Sequence, residues 1–122
     1  MSDSDPNLKI NCWTLGDRCE HVFSVQISRN KNVDALKDAI KAKKHNLLKD
    51  IDASDLILYK VSILCSPELA EHATALKLNE LMLNPVHRLS KVFADRLLRD
   101  HVHVAVELSS GAWVYVVLSL LR

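Results

Sequence analysis

The stretch of sequence that decides the fold is residues 52–63, which read Asp52-Ala53-Ser54-Asp55-Leu56-Ile57-Leu58-Tyr59-Lys60-Val61-Ser62-Ile63. An acidic turn leads directly into an apolar run that is rich in β-branched and aromatic residues, and a single lysine interrupts this run. Such a run, bounded by polar turn residues, is typical of a β-strand. The sequence therefore predicts a strand over residues 56–63.

The two faces of this strand differ in character, because successive side chains of a strand point to opposite sides. We predict that the core face carries Ile57, Tyr59, Val61 and Ile63. The opposite face then carries Leu56, Leu58 and Lys60. On that exposed side Lys60 is either a recognition residue or a charge that keeps an open sheet soluble.

Three further segments alternate apolar and other residues and are predicted strands. Their alternating residues are Leu8, Ile10 and Cys12, then Phe23, Val25 and Ile27, and finally Val102, Val104 and Val106. The first two segments flank a turn at Gly16-Asp17 and are close enough in sequence to form a β-hairpin.

One main helix is predicted after the second strand, with Asn32 as its N-cap. Its apolar face carries Val33, Leu36, Ala39 and Ile40. Its other side carries Lys37, Lys41 and Lys44, which we interpret as a solvated face rather than a binding patch. A second, shorter helix is predicted from Ser66 as N-cap and Pro67 at the first helical position, with Leu69, Ala73 and Leu76 as its apolar edge.

The composition fits one small domain and argues against several classes of partner. A chain of 122 residues with 48% hydrophobic residues is long enough to form a single core. The 16 basic and 15 acidic residues are interspersed, so nucleic acid is not the expected partner. Residues 1–6 show no basic segment followed by an apolar one, so no secretory signal peptide is predicted. The three cysteines include no Cys-x-x-Cys pair and are interpreted as reduced thiols.

Residues that could carry chemistry are dispersed, and we predict neither an enzyme nor a cofactor or metal site. His101 and His103 share a strand face, but a metal needs at least a third ligand, so a surface or rim pair is the preferred interpretation. The acidic cluster Asp50, Asp52 and Asp55 lacks the glycine of a calcium loop and is interpreted as capping a helical turn.

Several segments, in order along the chain, resemble the N-terminal domain of the Crinkler effector family of oomycetes and fungi. They are Asn11-Cys12-Trp13-Thr14-Leu15-Gly16, the helix over residues 33–44, Leu56-Ile57-Leu58-Tyr59-Lys60 continued by Val61-Ser62-Ile63, Leu89-Ser90-Lys91-Val92-Phe93, and residues 101–106. The run at Leu56 is similar to the family's Leu-Phe-Leu-Ala-Lys motif, altered at its centre. The run at His101 is similar to its His-Val-Leu-Val-Val-Val junction.

The periodicity alone predicts an α+β fold, and the resemblance implies that this fold is a ubiquitin-like β-grasp, a mixed sheet with one main helix. The extra short helix then lies in an insertion over residues 66–83 that ubiquitin does not carry. The resemblance also implies a non-catalytic targeting and translocation module of a secreted, host-directed effector whose payload domain is absent or truncated. The targeting-motif candidates are Leu56, Leu58, Tyr59, Lys60 and Val61, and the junction candidates are His101, Val102, His103, Val104 and Val106.

The expected partners are host or self proteins, and the expected destination after secretion is the host cytoplasm or nucleus. The alternative hypothesis, from another class, is an intracellular ubiquitin-like adaptor that binds proteins through its sheet. Both hypotheses share the same predicted fold.

The predicted organisation is a short tail at residues 1–7, a ubiquitin-like Crinkler-type domain at 8–108 and an apolar segment at 109–122. That last segment is too short for a membrane span, which needs about 20 residues. We interpret it as an extra strand beside the one over residues 101–108. A truncated gene end and a self-associating edge over residues 110–122, giving a homo-oligomer, are the other readings.

Overall fold

The structure, a computed structural model, describes residues 6–95 and 97–108. Within them the strands are β1 (Asn7–Thr14), β2 (Phe23–Ser28), β3 (Leu56–Leu64) and β4 (His101–Leu108). The helices are α1 (Val33–Lys43), α2 (His45–Leu48), α3 (Leu69–Thr74) and α4 (Leu89–Val92). Short 3₁₀ turns lie at Cys19–His21, Ala53–Asp55 and Leu78–Glu80. The strand predicted over residues 109–122 lies outside the described residues.

The strands form one mixed sheet in the order β2-β1-β4-β3. β1 and β2 pair as the predicted antiparallel hairpin, and β4 pairs antiparallel with β3. In the centre β1 and β4 run parallel, with Cys12 opposite Val104. The prediction of an α+β fold is confirmed, and this strand order is compatible with a β-grasp. A specific likeness to ubiquitin stays a prediction.

Helix α1 begins where the sequence predicts, because Asn32 caps it. The Asn32 side-chain oxygen accepts a hydrogen bond from the Ala35 N–H at 2.9 Å. Two more free N–H groups of the first turn find carbonyl partners in the loop before α4. Val33 donates to His87 and Asp34 to Pro85. The start of the helix is therefore tied to that loop as well as to its own cap.

The larger of two hydrophobic clusters lies between α1 and one face of the sheet. Val33, Leu36 and Ile40 of α1 are fully buried there. They meet inward-facing residues of every strand and of α4, and Phe93 directly after α4; the full set is Leu8, Ile10, Cys12, Val25, Leu56, Leu58, Leu89, Val92, Phe93, Val104, Val106 and Leu108. Burial of this apolar surface is the main force that holds the helix on the sheet.

The second face of the sheet is covered too, and this corrects the prediction of a single core face for β3. Tyr59, Val61 and Ile63 are buried as predicted, in a second cluster with Trp13 and with Leu69 and Ala73 of α3. The side predicted to be exposed is also buried at Leu56 and Leu58, which belong to the larger cluster. The reason is that α1 and α3 cover opposite faces of the same strand.

The helix predicted in the insertion over residues 66–83 is present as α3, but its start was predicted wrongly. It begins at Leu69 without a side-chain cap, and Glu68 occupies the capping position. The Ser66 backbone carbonyl, not its hydroxyl, accepts the Leu69 N–H at 3.0 Å. The Ser66 Oγ atom is buried and has no hydrogen-bond partner among the described residues. Leu76, predicted on the apolar edge, is 37% exposed.

The lysine face of α1 also needs a correction, at Lys37. Lys37 is only 7% exposed, whereas Lys41 and Lys44 are half-buried. Lysine side chains can bury their aliphatic stem along apolar surface while the charged end stays near water, which accounts for this low exposure. The Nζ atom of Lys44 lies 4.8 Å from the centre of the Phe23 ring, a cation–π distance.

The Leu36→Ala variant tests the packing of α1 on the sheet. Leu36 is fully buried, and removing its side chain leaves a cavity. We expect the free energy of unfolding to fall by about 2–5 kcal/mol, measured by urea denaturation. The control is Lys43→Ala on the exposed side of the same helix. It should change stability by no more than about 0.5 kcal/mol. Equal losses in the two variants would contradict the described packing.

Candidate functional site

The two motif segments lie side by side in the sheet, although 39 residues separate them along the chain. β3 carries the targeting candidates and β4 the junction candidates, and the strands pair antiparallel. Leu58 stands opposite Val106, Tyr59 opposite Ala105, and Lys60 opposite Val104. The structure thus brings both sets of predicted residues together.

Among the targeting candidates, the exposed side chain is that of Lys60. Leu56, Leu58, Tyr59 and Val61 are all buried in one or the other hydrophobic cluster. A partner that binds the folded domain can therefore contact Lys60 directly, while the other four position the strand. The Nζ atom of Lys60 lies 6.0 Å from the centre of the buried Phe93 ring.

The pairing of β3 with β4 is irregular directly after Lys60. Lys60 stands opposite Val104, but the next paired residue, Ile63, stands opposite Val102. Two residues of β3, Val61 and Ser62, thus face a single residue of β4, which is a β-bulge. Lys60 and Ser62 are both exposed at this point. Bulges re-aim side chains, so this one shapes the surface that Lys60 presents.

The outer edge of β3 is closed just before the bulge. The Lys60 N–H donates to the Leu81 carbonyl at 2.9 Å, and the Leu83 N–H donates to the Leu58 carbonyl at 2.8 Å. The insertion therefore returns along this edge and holds the backbone of the motif. Met82, between these bonds, forms an isolated bridge with Tyr59 and exposes its side chain.

Beside the bulge lies a small cavity of about 200 Å³. Its walls include Lys60 from the targeting segment, His103 from the junction segment, and Phe93 and Asp95 from the stretch after α4. The cavity thus offers a cation and a carboxylate over an apolar floor.

His103 is buried, and this corrects the interpretation of His101 and His103 as a surface or rim pair. Its side chain is 5% exposed. The Nδ1 atom accepts the Asn11 backbone N–H at 3.0 Å, so it carries no proton. Nε2 lies 2.8 Å from the Leu98 carbonyl and is therefore the protonated nitrogen, which donates to it. His103 is held as a neutral ring in one tautomer.

The surroundings of His103 disfavour its charged form. Burial lowers the pKa of His103 below its ordinary value of 6.5, and the nearby His101 lowers it further. The bond to the Leu98 carbonyl raises the pKa of His103 and offsets part of the effect of burial, whereas the influence of His101 is the smallest of the three. A second proton would also place an N–H against the Asn11 N–H.

Asn11 was predicted only as part of the first strand, but its side chain forms hydrogen bonds with both neighbouring strands. Its side-chain nitrogen donates to the His101 carbonyl at 2.8 Å, and its side-chain oxygen accepts from the Ser24 hydroxyl at 2.8 Å. Together with the bond to His103, these contacts link β2, β1 and β4 at Asn11. This position is one residue before Cys12, where the backbone pairing of β1 with β4 begins.

The junction valines do not share one face, contrary to the predicted alternation. Val104 and Val106 belong to the larger cluster, whereas Val102 belongs to the second one. The alternation breaks at His103, opposite the bulge in β3. On the second face the Tyr59 hydroxyl donates to Glu107 at 3.1 Å. Burial, followed by that carboxylate, raises the pKa of Tyr59.

Residues 6–95 and 97–108 contain neither a cluster of potential metal ligands nor a helix that could span a membrane. There, no three side chains of the His, Cys, Asp and Glu types are grouped so that they could hold a metal ion. Asp52, from the acidic cluster, accepts the Ser54 N–H and caps the turn Ala53–Asp55, which confirms the capping interpretation. None of the helices in this part of the chain has the length and apolar character that crossing a bilayer requires.

Comparison with known proteins finds a family whose members share the sequence pattern of nearly this whole sheet. The family model of the Crinkler effector protein N-terminal domain matches residues 8–107, from the start of β1 to the end of β4. The chain belongs to the Crinkler family. Both the targeting and the junction segments lie inside the matched Crinkler region.

Two curated Crinkler proteins are similar to the chain. Crinkler effector protein 108 of Phytophthora sojae is 50% identical over 52 residues, which is 43% of this chain and 6% of that protein. Crinkler effector protein 1 of Rhizophagus irregularis is 29% identical over 102 residues, which is 83% of this chain and 21% of that protein. The chain therefore matches only a minor part of the length of either relative.

The His103→Asn variant tests the buried neutral histidine through the pH dependence of stability. Above the unfolded-state pKa of about 6.5, the stability that the neutral ring supplies is fully present. It is lost as the pH falls toward the lowered pKa of the folded state, because the unfolded chain then binds a proton that the folded chain does not. We expect the wild type to lose more stability than the variant between pH 7.5 and pH 5 in urea titrations.

The control for this experiment is His72→Asn, at an exposed position of α3. It should keep the pH dependence of the wild type. If His103→Asn kept it as well, the assignment of a neutral, buried His103 would be wrong. A long-range ¹⁵N–¹H spectrum gives an independent reading, because the Nε2–H tautomer has its own pattern of nitrogen shifts.

Proposed function

We propose that this domain is the non-catalytic N-terminal targeting and translocation module of a secreted, host-directed Crinkler effector. The observation that carries the proposal is the Crinkler N-terminal match over residues 8–107, which contains nearly the whole described sheet. In this proposal the domain delivers, and any action on the host belongs to sequence joined to it. The destination is the host cytoplasm or nucleus, and the partner in delivery is a protein.

Within this module we assign recognition to Lys60. It is the exposed member of the targeting candidates and stands at the bulge beside the cavity. Its backbone is held on both sides, by β4 and by the returning insertion, so the strand that carries the charge is fixed. A backbone that is already ordered loses little conformational entropy on binding. The four buried candidates then support recognition without contacting the partner.

We assign a different part to the junction segment. His101, Val102, His103, Val104 and Val106 close the sheet against β1 and β3. Their side chains are buried or half-buried, so they offer a partner little surface. Substitutions there would act on delivery through the stability of the fold.

The experiment that tests the function follows a tagged chain expressed in a Crinkler-bearing microbe during colonisation of its host. We expect the tag outside the microbial cell and inside host cells. Retention in the producing cell would support the alternative, an intracellular adaptor, and would contradict the delivery module. The Leu36→Ala variant shows how far delivery depends on the stability of the domain.

The Lys60→Glu variant tests the assigned recognition residue. Reversing the charge at an interface makes an attractive contact repulsive, so we expect delivery of the tag into host cells to fall by roughly tenfold or more. Lys49→Glu, at another exposed lysine, is the matched control and should deliver like the wild type. Lys60→Arg keeps the charge and should retain most of the delivery.

Circular dichroism and urea denaturation must first show that the Lys60 variants are folded. If folded Lys60→Glu were delivered as well as Lys49→Glu, Lys60 would be a solubilising charge and the assignment would fail. The proposal of a delivery module would be untouched by that result, because it depends on where the wild-type chain is found.

A further inference from the structure

Two cysteines from distant parts of the sequence meet at one edge of the second hydrophobic cluster. Cys19 opens the 3₁₀ turn between β1 and β2, and Cys65 directly follows β3. Both are half-buried and pack against the same cluster. The Cys65 thiol donates to the backbone carbonyl oxygen of Cys19, with an Sγ to O distance of 3.4 Å.

This contact brings the two residues within reach of a covalent link. A carbonyl oxygen lies about 2.4 Å from its own Cα atom, as the C=O and Cα–C bond lengths require. The Cys65 sulfur is therefore at most about 6 Å from the Cys19 Cα atom. Since a cysteine sulfur lies about 2.8 Å from its own Cα atom, the Cα atoms of Cys19 and Cys65 are at most about 9 Å apart. Disulfides join residues whose Cα atoms are about 4.4–6.8 Å apart, so the link needs rotation of both side chains and, at the upper end of that bound, a small shift of the Cys19 turn.

The backbone at both positions is fixed by hydrogen bonds, so this proximity is part of the fold. The Cys65 N–H donates to the Asp100 carbonyl at 2.7 Å, in the turn that leads into β4. The Cys19 carbonyl also accepts the Val22 N–H at 3.2 Å. Asp100 has a φ of 62°, in the left-handed region that a tight turn requires.

Both thiols are open to small molecules, whereas the third thiol is not. Cys19 and Cys65 line a common open cleft of about 810 Å³ with Lys9 and Asp100. Cys12 is fully buried in the larger cluster, and burial raises its pKa to about 12. Since the thiolate is the reacting form, Cys12 is an internal reference that stays inert in the folded chain.

We propose that Cys19 and Cys65 form a reversible intramolecular disulfide, a modification site that takes a low-molecular-weight disulfide such as oxidised glutathione as its oxidant. One thiolate attacks a glutathione sulfur, and reduced glutathione leaves. The second thiolate then attacks the mixed disulfide, forms the protein S–S bond and releases another reduced glutathione. The two protein thiols lose two electrons and two protons, and the glutathione disulfide gains them.

Glu20 controls the speed of this reaction at the Cys19 side. The Cys19 thiol donates to the Glu20 carboxylate at 3.3 Å. That hydrogen bond, followed by burial and by the negative charges of Glu20 and Cys65, raises the pKa of Cys19. The thiolate fraction at neutral pH is thereby kept low, so oxidation is faster in mildly alkaline buffer.

The link would join the β1–β2 connection to the end of β3, positions 46 apart in sequence. Closing a loop of that length restricts the unfolded chain and stabilises the folded one. For a domain of this size we expect the midpoint of thermal unfolding to rise by roughly 10 °C or more. This inference goes beyond the proposed function and holds whether or not the chain is delivered to a host.

The test incubates the full chain with oxidised glutathione at pH 8 and counts free thiols with a chromogenic reagent. The reduced folded chain should show two reactive thiols and the denatured one three. After oxidation these counts should be zero and one. Peptide mass spectrometry without reductant should then find the Cys19 peptide joined to the Cys65 peptide, and dithiothreitol should release them.

Single Cys19→Ser and Cys65→Ser variants supply the matched controls. Each should lose the rise in the thermal midpoint on oxidation while keeping the midpoint of the reduced wild type within a few degrees. A disulfide that includes Cys12, a link between two chains, or no link after full consumption of the accessible thiols would overturn the proposal. So would a midpoint that rises equally in either single variant.

Discussion

The parallel pairing of β1 with β4 joins the two ends of the described chain at the centre of the sheet, and the other elements depend on it. β2 is attached through β1, and β3 is attached through β4. Because the pair is central, its side chains contribute to both clusters: Cys12 and Val104 to one, Trp13 and Ala105 to the other. The polar contacts of Asn11 with the backbone at His101 and the ring of His103 extend this pairing by one step.

Much of the fold could be predicted because its elements carry regular periods and clear end signals. The period of two in β1 and β2 and the Asn32 cap of α1 are local properties, and the structure confirms them. The two-sided burial of β3 was missed. A continuous apolar run such as Leu56-Ile57-Leu58 is typical of a strand covered on both faces. The face predicted to be the core is covered by the six-residue helix α3, and the face predicted to be exposed is covered by α1.

In the candidate site, the exposed position of Lys60 could be predicted from the sequence, but the features that depend on pairing between distant segments could not. Lys60 was expected on the exposed side of β3, and it is exposed. The burial of His103 depends on the Asn11 N–H, 92 positions away, and on the irregular loop that provides the Leu98 carbonyl. The bulge at Val61 and Ser62 likewise depends on the register in which β3 pairs with β4, and the sequence of one strand alone does not reveal that register.

The separation of β1 from β4 has a consequence for synthesis. Cys12 and Val104 stand opposite each other, so the ribosome must add about ninety residues after β1 before its parallel partner exists. At roughly 5–20 residues per second, the nascent hairpin of β1 and β2 waits for several seconds with its apolar side uncovered. Contacts between residues so far apart in sequence raise the contact order of the domain, and a high contact order slows folding. During that interval the apolar surface of the emerging chain is open to aggregation, the general situation in which chaperones act.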